Sequence, residues 1–235
     1  MIYKKLRPVS PYHRKIVDRW KMRLEGTPCF VIGNSPCILG TKIELLKDFF
    51  TIGVNRVFKK VKGYEGIDPT ILVWQDIELW YSERNQIAKL ECIKFCQKSA
   101  DPHAEYFNFE VTNGPFKLPT VPTLLHGRGS TGPLAFELAY ILGCNPIILV
   151  GYDCKYKDKK TDFYGVNLDH KPSTLYGCSR GLKWICDQKK IKTIIDCSNN
   201  GIFDTTCILE EAIKKVSYLY PVLGRKYFTE KLLKD

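Results

Sequence analysis

Two short segments concentrate the residue types that hold phosphates and sugars. The first, Gly33-Asn34-Ser35-Pro36-Cys37, follows an apolar run and precedes a stretch with helical spacing. Gly33 lets backbone approach a ligand closely, while Asn34 and Ser35 bring side-chain and backbone donors to a phosphate or a ribose. An Asx-type turn from strand to helix accounts for the same residues equally well. The second segment, Gly127-Arg128-Gly129-Ser130-Thr131-Gly132, opens the stretch of helical spacing that runs to Leu142. Free N–H groups, the positive dipole end and a guanidinium together make an anion site. Capping by Ser130 or Thr131 explains a helix start, but not three glycines and an arginine beside it. Neither segment is a Gly-x-Gly-x-x-Gly fingerprint, and no Gly-Lys-Ser/Thr P-loop is present.

A third group, Asn55, Gln75, Asp76 and Asp153, closes three apolar runs. A carboxylate at such a tip holds a divalent cation on a diphosphate, orients a ribose hydroxyl or acts as a base; a helix cap is the plain alternative. Asp76 and Asp153 are therefore the candidate catalytic carboxylates, and Asp76 is the candidate ligand for a magnesium ion. A fourth group lies in the loop from Lys155 to Arg180, where Tyr156, Tyr164 and Tyr176 accompany His170 and Lys171. Aromatic and basic residues in a long loop suit a lid over the donor or the acceptor, with His170 as the general base it offers.

These residues need a frame. Cys29–Ile32, Phe50–Val54, Thr70–Trp74, Ile147–Val150 and Thr193–Asp196 are short apolar runs that read as buried strands, with a further short strand over Tyr106–Phe109. Helical spacing covers Thr41–Asp48, Ile77 to about Gln97, an amphipathic Thr131–Leu142 stopped by Gly143, Arg180–Lys189 and the region from Thr206 onward. Alternation of strands and helices predicts an α/β fold: a mostly parallel sheet with helices on both faces, in one domain. In such sheets ligands bind beyond the carboxyl ends of the strands, where the polar residues above collect. Residues 1–26 are expected as a basic helical extension with apolar positions Ile16, Trp20 and Leu24, and residues 27–235 as the nucleotide-binding transferase domain.

Composition limits the function classes. No apolar run is long enough to span a bilayer, and no apolar stretch follows the N-terminal charges, which predicts a cytoplasmic protein. Ten scattered cysteines, several inside apolar runs, fit reduced thiols and no zinc spacing. The net charge of +11 favours phosphate-bearing partners, nucleic acid among them.

Taken in order, Gly33-Asn34-Ser35-Pro36, Gly53-Val54-Asn55, Pro69 through Asp76, Gly129-Ser130-Thr131-Gly132 and Gly143 through Asp153 resemble the MptE-like domain. That domain is shared by archaeal hydroxymethylpterin pyrophosphokinases and the Maf glycosyltransferases of flagellin. The likeness covers about Pro28 to Phe203 and continues in Lys159-Lys160-Thr161-Asp162-Phe163-Tyr164. The same order of motifs is similar to the bacterial lipo-oligosaccharide sialyltransferases, which bind a cytidine nucleotide sugar on a Rossmann-like sheet. The resemblance implies that Asn34, Asn55 and Thr131 hold the donor. Where those enzymes place a catalytic histidine after Tyr-x-Gly, this chain has Tyr176-Gly177-Cys178.

The expected function is glycosyl transfer from a nucleotide sugar to a hydroxyl. Gly33, Asn34, Ser35, Asn55, Gly129, Ser130, Thr131 and Gly132 form the nucleotide site, and Tyr156, Tyr164 and Tyr176 the lid or acceptor side. The alternatives are ATP-dependent diphosphate transfer of the hydroxymethylpterin type, and a non-catalytic basic module that binds nucleotides or nucleic acid. DNA carrying hydroxymethylated bases is a candidate acceptor.

Overall fold

The computed structural model describes residues 11–103, 105–112, 118–127, 130–156, 160–165, 172–188, 193–198 and 207–234. Eight strands form one sheet, all neighbours parallel: β1 (Cys29–Ile32), β2 (Thr51–Val54), β3 (Ile71–Trp74), β4 (Ile93–Gln97), β5 (Phe107–Val111), β6 (Leu124–Leu125), β7 (Ile147–Val150) and β8 (Ile194–Asp196). Their order across the sheet is β6-β5-β4-β3-β2-β1-β7-β8. Six helices accompany them among the described residues: α1 (Pro11–Asp18), α2 (Ile77–Lys89), α3 (Thr131–Ile141), α4 (Pro172–Cys186), α5 (Leu209–Leu219) and α6 (Gly224–Leu233). The arrangement is Rossmann-like.

Parallel strands buried on both faces need apolar residues at every position, and alternate side chains then feed two separate cores. Val31, Ile52, Val73 and Leu149 point into one core, which α1, α3, α4 and α6 cover through Val17, Leu134, Leu182 and Phe228. Phe30, Leu72, Trp74 and Ile148 point into the other, covered by Leu79 and Ile87 of α2 and by Leu209 and Val216 of α5. Each such side chain contributes roughly 1.5–3 kcal/mol by leaving water. At the base of β2 and β3, Thr51 and Thr70 exchange backbone-to-hydroxyl hydrogen bonds of 3.2 and 2.9 Å, which fixes the register of that pair.

Four helix boundaries differ from the sequence expectation. The helix expected to run to Gln97 ends at Lys89, and Ile93–Gln97 is instead β4. Its burial alternates with half-exposed Lys94, so the segment carries no continuous apolar run. The helix expected over Thr41–Asp48 shrinks to a 3-10 turn, Ile43–Leu46. The expected terminal helix is two helices, α5 and α6, broken around Pro221. The helix expected from Arg180 starts at Pro172, a residue whose fixed φ suits a first turn. Finally, α3 is buried on nearly every side rather than amphipathic; its Glu137 is fully buried and accepts a 2.7 Å hydrogen bond from the His126 amide.

Residues 11–26 pack into the first core. Trp20 is fully buried against Phe95 and Phe107, and its indole N–H donates to the Leu232 carbonyl at 3.1 Å. Arg23 donates to the carbonyls of Lys231 and Lys234.

Candidate functional site

The chain runs from β1 outward to β6 on one side, then returns through α3 to β7 on the other side of β1. The loops leaving β1 and β7 therefore diverge, and the topology opens a crevice at their carboxyl ends. A cleft of about 660 Å³ lies there, walled by the ends of β1, β2, β3 and β7, the start of α3, one face of α4 and the segment 160–165.

Its floor is two backbones in contact. The Gly33 amide donates to the Val150 carbonyl at 2.8 Å, and the Ser35 amide donates to Gly151 at 3.1 Å. Gly151 adopts φ +73°, a turn that sends Tyr152 and Cys154 toward the cleft. The Tyr152 amide is held by the Ser198 hydroxyl at 2.8 Å, and Ser198 is itself held by Asp196.

On the β1–β2 side, Asn34 is buried and donates from Nδ2 to the Val54 carbonyl at 3.1 Å. Asn55 follows with φ +49°, a conformation asparagine tolerates better than most residues. Both side-chain oxygens, Asn34 Oδ1 and Asn55 Oδ1, are buried without a hydrogen-bond partner.

On the facing wall, Ser130 sits at the N-cap of α3 in an extended conformation, and its hydroxyl does not cap the helix. Thr131 is buried at the first helical position. A Cβ on Gly132 would meet the Tyr152 ring at 2.8 Å, so the backbone comes close only because this residue has no side chain. Gly129 of the predicted phosphate segment lies outside the described residues.

Charge in the cleft is mixed. Arg56 lines it, anchored by Glu83 at 3.0 Å and Ser82 at 3.1 Å. Buried Glu83 also meets Lys59 at 2.5 Å. Burial works most strongly against the Arg56 cation, but hydrogen bonds and charge from Glu83 and Tyr164 together outweigh it and hold the guanidinium above its usual pKa. The Arg56 guanidinium lies 5.3 Å from the Tyr164 ring centroid. Burial pushes the Tyr164 phenol up, helped by Asp162 and opposed by Arg56, so it keeps its proton at neutral pH. Asp76, Glu78 and Asp162 supply the carboxylates. Asp76 stands exposed at the start of α2 without capping it.

The segment 160–165 is pinned across the β1 loop, because the Phe163 amide donates to the Asn34 carbonyl at 2.8 Å and the Phe163 ring packs on Tyr64. Of the expected lid residues that are described, Tyr164 alone reaches the cleft wall. Tyr156 is exposed and does not line it. Tyr176 belongs to α4 rather than to a loop; it faces outward, 65% exposed, with Arg180 over its ring, while Leu175 and Cys178 face the cleft. His170 lies outside the described residues. Asp153 is not brought to the cleft: it is buried beside Cys37, whose thiol burial and then the Asp153 charge push up to about 12. Sequence reasoning missed Arg56, Glu78 and Tyr152, whose place in the cleft depends on tertiary pairing.

No protein-family model and no curated protein matches this sequence. No described helix is long and apolar enough to cross a membrane.

Proposed function

We propose that the chain is a transferase that binds a nucleotide-type donor in this cleft and passes a sugar from a nucleotide sugar to a hydroxyl acceptor. The observation that carries the reading is the cleft at the carboxyl ends of β1, β2, β3 and β7, with Gly33–Ser35 and Asn55–Arg56 lining it along with the start of α3, where Ser130 does not cap the helix. A nucleoside diphosphate complements both walls. Its ribose and base lie along the Asn34 and Asn55 turns, and its phosphates accept from the N–H groups of Thr131 and Gly132 that open α3 and from Arg56.

In this reading the acceptor hydroxyl approaches from the rim, where exposed Asp76 takes its proton as the bond to the sugar forms. The nucleoside phosphate leaves with the bonding electrons, stabilised by the same α3 N–H groups. Among the described residues no three His, Cys, Asp or Glu side chains converge. Magnesium would thus sit as it commonly does, on the donor's phosphates with one or two carboxylates, here Asp76 or Asp162, and would neutralise charge on the leaving group.

The test is a thermal-shift panel of cytidine, uridine, guanosine and adenosine nucleotides and their sugar conjugates, with and without magnesium. A ligand at about a hundred times its Kd stabilises by roughly 2.7 kcal/mol. A sugar nucleotide that stabilises and is then hydrolysed or transferred supports the reading and names the donor base. Stabilisation by ATP with magnesium alone supports diphosphate transfer instead. Full turnover by Asp76→Ala excludes Asp76 as the base.

A further inference from the structure

We propose that Cys154 and Cys178 form a dithiol built into the cleft wall, which hydrogen peroxide oxidises reversibly to a disulfide tying the loop after β7 to α4. The two sulfurs stand 3.6 Å apart, with the Cys154 S–H directed at the Cys178 sulfur. Both residues line the cleft, so a small oxidant reaches them from solvent. Two further features converge on the pair. Cys154 is held at φ +50°, a conformation that side chains other than asparagine and aspartate rarely adopt. The bare Cα of Gly132 leaves room for the partner, because a Cβ there would lie 3.3 Å from the Cys178 sulfur.

The roles follow from the hydrogen bond. Cys154 donates in that bond, which leaves the Cys178 sulfur as the acceptor and the attacking atom; partnership with Cys178, then burial, pushes the Cys154 thiol up. Cys178 attacks one peroxide oxygen; an S–O bond forms, the O–O bond breaks and water leaves, giving a sulfenic acid. The Cys154 sulfur then attacks the Cys178 sulfur. The S–S bond forms, the S–O bond breaks, and the hydroxyl departs as water with the Cys154 proton. Two thiols and one peroxide give one disulfide and two waters, a two-electron oxidation. A second close pair, Cys197 and Cys207 at 3.9 Å, provides an internal comparison.

The experiment treats the reduced full chain with increasing hydrogen peroxide, blocks remaining thiols by alkylation and maps the digest by mass spectrometry. The expected result is a peptide linking Cys154 to Cys178, appearing at lower peroxide than any Cys197–Cys207 link and lost on dithiothreitol. Cys154→Ser should leave a Cys178 sulfenic acid that dimedone captures, and Cys178→Ser should leave Cys154 open to alkylation. The proposal is overturned if Cys154 and Cys178 both remain alkylatable while other thiols oxidise, or if Cys178 proceeds to sulfinic acid without a link. The readout is a covalent bond, so it is independent of whether any nucleotide binds.

Discussion

A Cβ placed on Gly33 would lie 2.3 Å from the carbonyl oxygen of Gly151. The two strands flanking the cleft thus meet at a backbone contact that no other residue permits, and the obstacle is main chain, which cannot rotate aside.

Gly33→Ala should therefore lower stability by about 2–4 kcal/mol, as the β1 and β7 loops part. Gly26→Ala serves as the control. That site has φ +72° but open space around its Cα, so only backbone strain of about 1 kcal/mol applies. Urea denaturation of the two variants separates the effects; equal losses would show that the contact contributes nothing beyond strain.

Asn34 joins the loop after β1 to the end of β2 through Nδ2, at the wall of the cleft. Asn34→Asp presents a carboxylate to the Val54 carbonyl and should be less stable than Asn34→Ala, which loses about 1 kcal/mol of hydrogen bonding. Both should weaken the nucleotide found in the thermal-shift panel by at least about tenfold, the equivalent of one such bond. Wild-type affinity in either variant would remove Asn34 from the binding site.

Arg56 and Lys59 share the buried carboxylate of Glu83. Arg56→Ala leaves that carboxylate with one partner and should cost about 1–3 kcal/mol. Arg56→Lys restores the charge without the fork that also reaches Ser82, so it should recover only part of the loss. Chemical denaturation of the three proteins checks the ranking.

Alkaline pH should destabilise the fold through its buried thiols. Burial, then the nearby Asp68 charge, pushes Cys92 from its ordinary 9.0 up to about 12. Cys37, also raised to about 12, is more accessible and adds less. The folded chain holds these protons more tightly than the unfolded chain. Their contribution is complete below about pH 9 and is lost as pH rises toward 12, at up to about 1.4 kcal/mol per pH unit for Cys92. Melting temperatures measured from pH 8 to 11 should fall over that window, and Cys37→Ser should fall less steeply.

Six strands were legible, the short one at Tyr106–Phe109 as β5 and five because a parallel sheet covered on both faces leaves continuous apolar runs such as Ile147–Val150. Two-residue β6 has no pattern to read, and β4 hides behind a helix whose spacing continues into it. The glycines and asparagines of the cleft were legible for a local reason: they directly follow strands. Asp153 shares that position yet misses the cleft, since the turn at Gly151 decides which of Tyr152, Asp153 and Cys154 faces inward. Tyr176 was misplaced because Gly177 and Gly181 weaken the helical signal of α4. Arg56 depends on Glu83, one helix away, and no local spacing announces that pairing.

The sheet also ends abruptly on both sides. β6 offers two residues at one margin and β8 three at the other, against four or five in each strand between them. A neighbouring molecule seeking to extend the ladder would find only a few main-chain groups to pair with, too few to hold an added strand. Among the described residues, brevity at both margins makes the edges of this sheet poor templates for strand addition.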